Sequence, residues 1–224
     1  MAGLGGKNWT FQEEVTSSDV NGYLADQVVM RFGGTATRDA GFGGAGEPTL
    51  TEGMMSYLDD ANRLDFYDGA AWKPVSQVLQ VVSTTKTDTF STTSATFSDV
   101  TGLSVTITPK FATSKIFIQA SGQGSTDGSG ASGMRLLRDS TDICIGDTAG
   151  NRARITNAAT SNAFGGWAFQ FLDSPSTTSA TTYKIQIASL VNSRIHGINR
   201  CFDDSDFIYR PRGTSTITVM EIAG

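Results

Sequence analysis

Residues 103–107 read Leu-Ser-Val-Thr-Ile, with an apolar side chain at every second position. That alternation belongs to a strand with one buried and one exposed face. The same period of two returns in Trp167, Phe169 and Phe171, and again in Tyr183, Ile185 and Ile187. Near the end of the sequence, Ile217 and Val219 fall on one face of a strand and Met220 and Ile222 on the other. Gly, Asp, Asn, Pro and Ser separate these runs, so strands are predicted over 78–83, 96–100, 103–108, 115–120, 134–138, 143–146, 167–172, 183–188 and 216–222. Many short strands with no helical period point to a jelly-roll-like β-sandwich over residues 76–224.

The pattern before Pro74 is different. Val20, Tyr23, Leu24, Gln27, Val28 and Arg31 recur at helical spacing, with Thr16 placed as N-cap and Asp19 three residues on. A helical turn is predicted over 35–40, then a break at the glycine-rich 41–48. Strands follow over 54–58 and 63–67, and an Asp68-Gly69 turn leads into a third around Trp72. Residues 1–75 therefore read as a small helix-plus-β-meander module.

Between Ser83 and Pro109 more than half the positions are Ser or Thr. Thr is β-branched and fits a pleated sheet, so this run is strand with a polar exposed face rather than a tail. Over the 224 residues, hydrophobic content is 38% and charged content 17%, with Gly at 25 positions. So thin an apolar complement suggests a core helped by other subunits. The strand over 216–222, apolar on both faces, is where an interface is expected, through Ile217, Val219, Met220 and Ile222.

A net charge of -5 argues against a phosphate-binding surface, since nucleic-acid affinity comes mainly from clustered Lys and Arg. No stretch approaches the roughly 20 apolar residues that span a bilayer, and the opening residues do not have the form of a secretory leader. Membrane insertion is not expected, and synthesis is expected in the cytoplasm. Cys144 and Cys201 have no ligands at metal spacing around them and read as buried thiols.

Two stretches before residue 75 carry a family resemblance. WTFQEEVTSSDVNGYLADQVVMRF, followed by TRDA and then EGMMSYLDDANRLDFYDGAAW, resembles the amino-terminal attachment module of tailed-bacteriophage structural proteins. VLQVVSTTKTDTFSTTSATFSDVTGLSVTITP, LLRDSTDICIGD, FLDSPSTTSATTYKIQ and STITVMEIA resemble the carboxy-terminal β-domain of phage fibres. The resemblance implies a virion surface protein, usually an intertwined homotrimer. Residues 1–75 would dock on a tail, baseplate or capsid protein through Val20, Tyr23, Leu24 and Val28, and residues 76–224 would contact a host-surface glycan or protein. A head fibre or decoration protein without a dedicated receptor keeps the same fold, and a glycan-degrading tailspike is the enzymatic alternative. Unlike longer fibres, this chain has no repetitive shaft between its modules.

Candidate chemistry is sparse. The single His196 lacks a nucleophile motif around it, so no catalytic residue and no cofactor is expected. Asp203, Asp204 and Asp206 could hold Ca²⁺ only weakly, because the spacing lacks the Gly and distal Glu of an EF-hand loop. Residues 122–133, rich in Gly and Ser, read as an exposed loop. Receptor contacts are expected from Arg152, Arg154 and Asn157, and from His196, Asn199, Tyr209, Arg210 and Arg212. Arg donates in a planar fork suited to anionic groups, and exposed rings stack on sugars. The alternative for the arginines is pairing with the many Asp.

Overall fold

The structure, a computed structural model, describes residues 29–44, 49–128, 132–158, 164–191 and 194–224. The chain divides into two compact units between Gln77 and Val78. Most of the helix expected over 16–31, including Val20, Tyr23, Leu24 and Val28, lies outside the described residues. At its end the expectation fails, because Met30–Phe32 is a strand, β1. Met30 and Phe32 are half-buried and flank an outward Arg31 paired to Asp59 at 2.7 Å. This local period of two overrides the helical stripe.

The first unit continues with α1 (Thr35–Asp39), β2 (Met55–Leu58), β3 (Arg63–Tyr67) and β4 (Trp72–Pro74). β1 runs parallel to β2, and β2, β3 and β4 form the expected antiparallel meander. Asp68 shapes the last turn by accepting the N–H groups of Ala70 and Ala71 at 2.9 and 2.7 Å, as Asx turns do. Asp65, 1% exposed, holds the unit together. It accepts from Arg38 of α1 at 2.7 Å and from Arg63 at 2.6 Å, while Arg38 lies 4.7 Å over the Trp72 ring. Two guanidinium groups satisfy the carboxylate that burial would otherwise penalise.

The second unit contains β5 (Val78–Lys86), β6 (Phe90–Thr92), β7 (Ser98–Ile107), β8 (Lys115–Thr126) and β9 (Ser132–Arg138). It goes on through β10 (Thr141–Ile143), β11 (Gly165–Asp173), β12 (Thr181–Ser189), β13 (His196–Ile198) and β14 (Ser215–Ile222). One sheet runs β10-β9-β12-β7; the other runs β5-β14-β8-β11, with β13 taking over from β14 along β8 and carrying β6. First and last strands lie side by side, and each sheet draws on both halves of the unit. This is jelly-roll order. It is complete within one chain, so the sandwich needs no strand from another copy.

Alternation explains the layers. Across the inner face of the β5-β14-β8-β11 sheet, Val82, Val219, Ile118 and Phe171 stand in register, as do Ile217, Ala120 and Phe169 one step away. They pack on Leu103, Val105, Ile107, Leu136, Tyr183, Ile185 and Ile187 from the opposite sheet. Ile217 and Val219 are fully buried inside this core. The expectation that they form a subunit interface is therefore corrected, while Met220 and Ile222, on the other face, stay half-exposed.

β7 joins two expected strands into one through a bulge. Between Ser104 and Asp99 it uses more residues than β12 does opposite, and Gly102 takes up the positive φ of 79°. The expected loop over 122–133 is also corrected in part, since β8 continues to Thr126 and β9 begins at Ser132. The residues there are small because neighbours approach the backbone: a Cβ at Gly124 would collide with the Gly197 carbonyl. Glu221, fully buried, accepts the N–H of Lys110 at 2.7 Å and the Gln80 amide at 2.6 Å, tying the β7–β8 turn to β14.

Candidate functional site

Register fixes the two ends of the sandwich. Val78 pairs with Ile222 at one end and Lys86 with Ser215 at the other. The connections β5–β7, β8–β9, β10–β11 and β12–β14 all lie at the second end, the end away from where β5 begins. The expected receptor residues of 151–166 and of 194–212 thus converge on one surface. They are far apart in sequence, and only the topology brings them together.

Individual placements differ. Arg152 and Arg154 are exposed on the β10–β11 connection. Arg154 is also a brace, donating to the Gly146 carbonyl at 2.6 Å and accepting from Arg135 at 3.0 Å through its own carbonyl. Asn157 is structural, bridging Met134 and donating to the Ala168 carbonyl at 3.0 Å. His196 and Asn199 are corrected outright: the one is 1% exposed within β13, the other 0%. Neither can be presented on a turn.

Asn199 instead organises the surface. Its φ of 59° lies in the left-handed region that Asn tolerates. Its Nδ2 donates to the carbonyls of Lys86 and Asp88 at 2.9 and 3.0 Å, and its Oδ1 accepts from Ser215 at 2.7 Å. Its own carbonyl accepts the Gly213 N–H at 3.2 Å. That bond closes residues 200–212 into a compact loop with adjoining ends, an Ω-loop. Gly213 sits against Gln123 of β8 and the Phe164 ring, so a Cβ there would meet both.

Within the loop the arginines are paired internally. Arg210 pairs with Asp203 at 2.8 Å, Arg212 with Asp204 at 2.7 Å, and Arg200 with Asp204 at 3.5 Å. Arg200 also donates to the carbonyls of Cys201 and Phe202. Asp203 and Asp204 are thus ion-pair partners, and among the described residues no group of three His, Cys, Asp or Glu suits a metal. Above this frame a turn closed by Arg210 N–H to the Phe207 carbonyl, at 2.8 Å, projects Phe207, Ile208 and Tyr209, which are 57%, 100% and 64% exposed. The Phe207 and Tyr209 rings stack at 5.1 Å, 5° from parallel. Sequence reasoning included Tyr209 but passed over Phe207 and Ile208; the apolar triplet among paired charges was the signal.

His196 lies beneath this surface, with Thr92 on one side and Thr126 on the other. Neither ring nitrogen makes a hydrogen bond of normal geometry. Desolvation pushes the imidazole down to about 4, offset only partly by the Ala188 backbone. At the opposite end, Asp173 of β11 accepts from Tyr183 at 2.7 Å and from Arg138 at 2.9 Å, clamping one sheet to the other. Burial first, and the Asp173 carboxylate second, raise the Tyr183 phenol far above its usual range.

No known family profile matches the chain, and no curated protein does. Two solved structures of infectious bursal disease virus are similar to it. That of strain Gt has 15% identity and a TM-score of 0.37, the match covering 70% of this chain and 40% of that one. That of strain Gx has 14% identity and a TM-score of 0.34, covering 70% and 43%. The chain spans less than half the length of either.

Proposed function

We propose that this chain is a non-enzymatic structural protein of a tailed-phage particle, a short fibre or spike whose jelly roll touches the host surface. The observation that carries the reading is the convergence of the candidate loops at the end of the sandwich away from where β5 begins. Support also comes from the sequence resemblance of both modules to phage fibre proteins. The first unit would attach the chain to a tail, baseplate or capsid protein.

Homotrimer formation belongs to the same proposal, and the outer face of the β5-β14-β8-β11 sheet is the surface for it. Val81, Met220, Phe117 and Leu172 stand in register there across four strands. Val81 and Leu172 are 55% and 46% exposed. Ile222 extends the row, opposite the exposed Val78. A contiguous apolar row of this kind marks an association surface.

The test is competition. Purified full-length protein, incubated with host cells beforehand, is expected to block adsorption of the phage. If saturating protein leaves adsorption unchanged, the head-fibre or decoration role replaces the attachment role. Shortening of purified host polysaccharide by the protein would establish the tailspike alternative.

A further inference from the structure

We infer that the tip Phe207–Ile208–Tyr209 is an apolar plug that seats in a pocket of a protein receptor, rather than a sugar-binding site. The inference rests on the attachment reading above and names the chemistry of the partner.

The loop's cations are already committed. Arg200, Arg210 and Arg212 are paired to Asp203 and Asp204, so a glycan's anionic groups would compete with these carboxylates for the same guanidinium groups. One face of each exposed ring is taken as well. Phe207 and Tyr209 stack on one another, and the Arg210 guanidinium lies 5.3 Å from the Tyr209 ring centre and 5.2 Å from that of Phe202. What the tip offers freely is the aliphatic Ile208 side chain, fully exposed, with ring edges beside it. A sugar gains little from an aliphatic tip, whereas an apolar pocket gains its whole surface.

The tip is also pre-shaped. The turn bond from Arg210, the Asp203–Arg210 and Asp204–Arg212 pairs and the closed base at Asn199 hold it before any partner arrives. Little conformational freedom is therefore left to lose on binding. Between a lipid surface and a protein pocket, charge decides. Asp206 is exposed at the foot of the tip, no ion pair among the described residues engages it, and the whole chain carries -5. An anionic bilayer surface repels such a loop. A protein pocket with a basic residue on its rim complements it and encloses all three side chains.

The experiment measures binding of fluorescently labelled full-length protein to host cells. Wild type is compared with Ile208→Asp on untreated, protease-shaved and periodate-oxidised cells, and on vesicles of phosphatidylethanolamine and phosphatidylglycerol. Ile208→Asp is expected to keep the wild-type melting temperature, since the side chain is fully exposed, and to weaken binding about tenfold or more, as loss of a central anchor does. Shaving is expected to abolish binding, while periodate leaves most of it. Loss on periodate oxidation would assign the loop to glycan and overturn the inference. Binding to vesicles would assign it to lipid, and equal binding of Ile208→Asp and wild type would remove the tip from the contact; both also overturn it. Should wild type bind no untreated cells, the attachment reading itself falls, a result none of the other outcomes resembles.

Discussion

Buried His196 should make the jelly roll sensitive to mild acid. The imidazole is held neutral in the fold at a pKa of about 4, against about 6.5 in an unfolded chain. Above pH 6.5 neither state takes a proton there, and the full stability is present. Between pH 6.5 and 4 only the unfolded chain binds the proton, so stability falls as pH falls. Below 4 the native state takes it too and the loss levels off. The difference between the two pKa values corresponds to roughly 3 kcal/mol, most of which is lost between pH 7.5 and 4.5. Carboxylates add their own pH dependence, so the measurement is a difference between wild type and His196→Leu. Leu is apolar, of similar size, and removes two ring nitrogens that have no hydrogen-bond partner of normal geometry. Urea unfolding followed by tryptophan fluorescence, at one protein concentration, should show the variant losing roughly 2–3 kcal/mol less than wild type over this interval. Identical pH dependence in the two proteins, or an imidazole titrating above 6 by NMR, would refute the reasoning.

Two further outcomes follow from the geometry. Asn199→Ala removes three side-chain hydrogen bonds and leaves at positive φ a residue that tolerates it less well than Asn, so it should cost about 2–4 kcal/mol by chemical denaturation; a loss below about half a kcal/mol would show that the loop base is held by other contacts. Met220→Asp places a charge in the middle of the outer apolar row, so light scattering should find a folded monomer in place of a trimer, and an unchanged mass would move the interface elsewhere.

The sandwich was legible because its inner face is apolar at strict alternation while its outer face is largely hydroxylated, so each long strand declares both its existence and its orientation. Short strands carry no such signal. β6 and β13 have three residues each, too few for a period, and went unpredicted. Residues 122–126 misled for a related reason: Gly and Ser suit a mobile loop, and equally a strand on which another backbone rests. Burial of His196 was hidden by its setting, because the flanking Arg194 and Arg200 suggest surface whereas the five residues between them form the stretch that enters the sheet. The candidate site was legible as two separate polar stretches; their meeting at one end depends on pairings among residues well over a hundred positions apart, such as Val78 with Ile222, which no local pattern contains.

The hydroxyl-rich outer faces have a physical role of their own. Ser83 bonds to Thr218 at 2.8 Å, Thr85 to Thr216 at 3.3 Å and, on the other sheet, Thr106 to Thr182 at 2.8 Å. Each pair satisfies a hydroxyl laterally, along the sheet, and adds to strand pairing. The surface this leaves is polar, less sticky than a Leu or Ile face would be, and poor in groups that recruit an indiscriminate partner. On the β5-β14-β8-β11 sheet the apolar row through Met220 interrupts this surface, and it lies toward the end where β5 begins, while the rows nearer the loops are Ser, Thr, Gln and Ala. Association through that row would leave the loop end uncovered. A division of one sheet face into an adhesive half and a neutral half is what a protein needs if it is to assemble with its own copies and still keep a rigid tip free for another molecule.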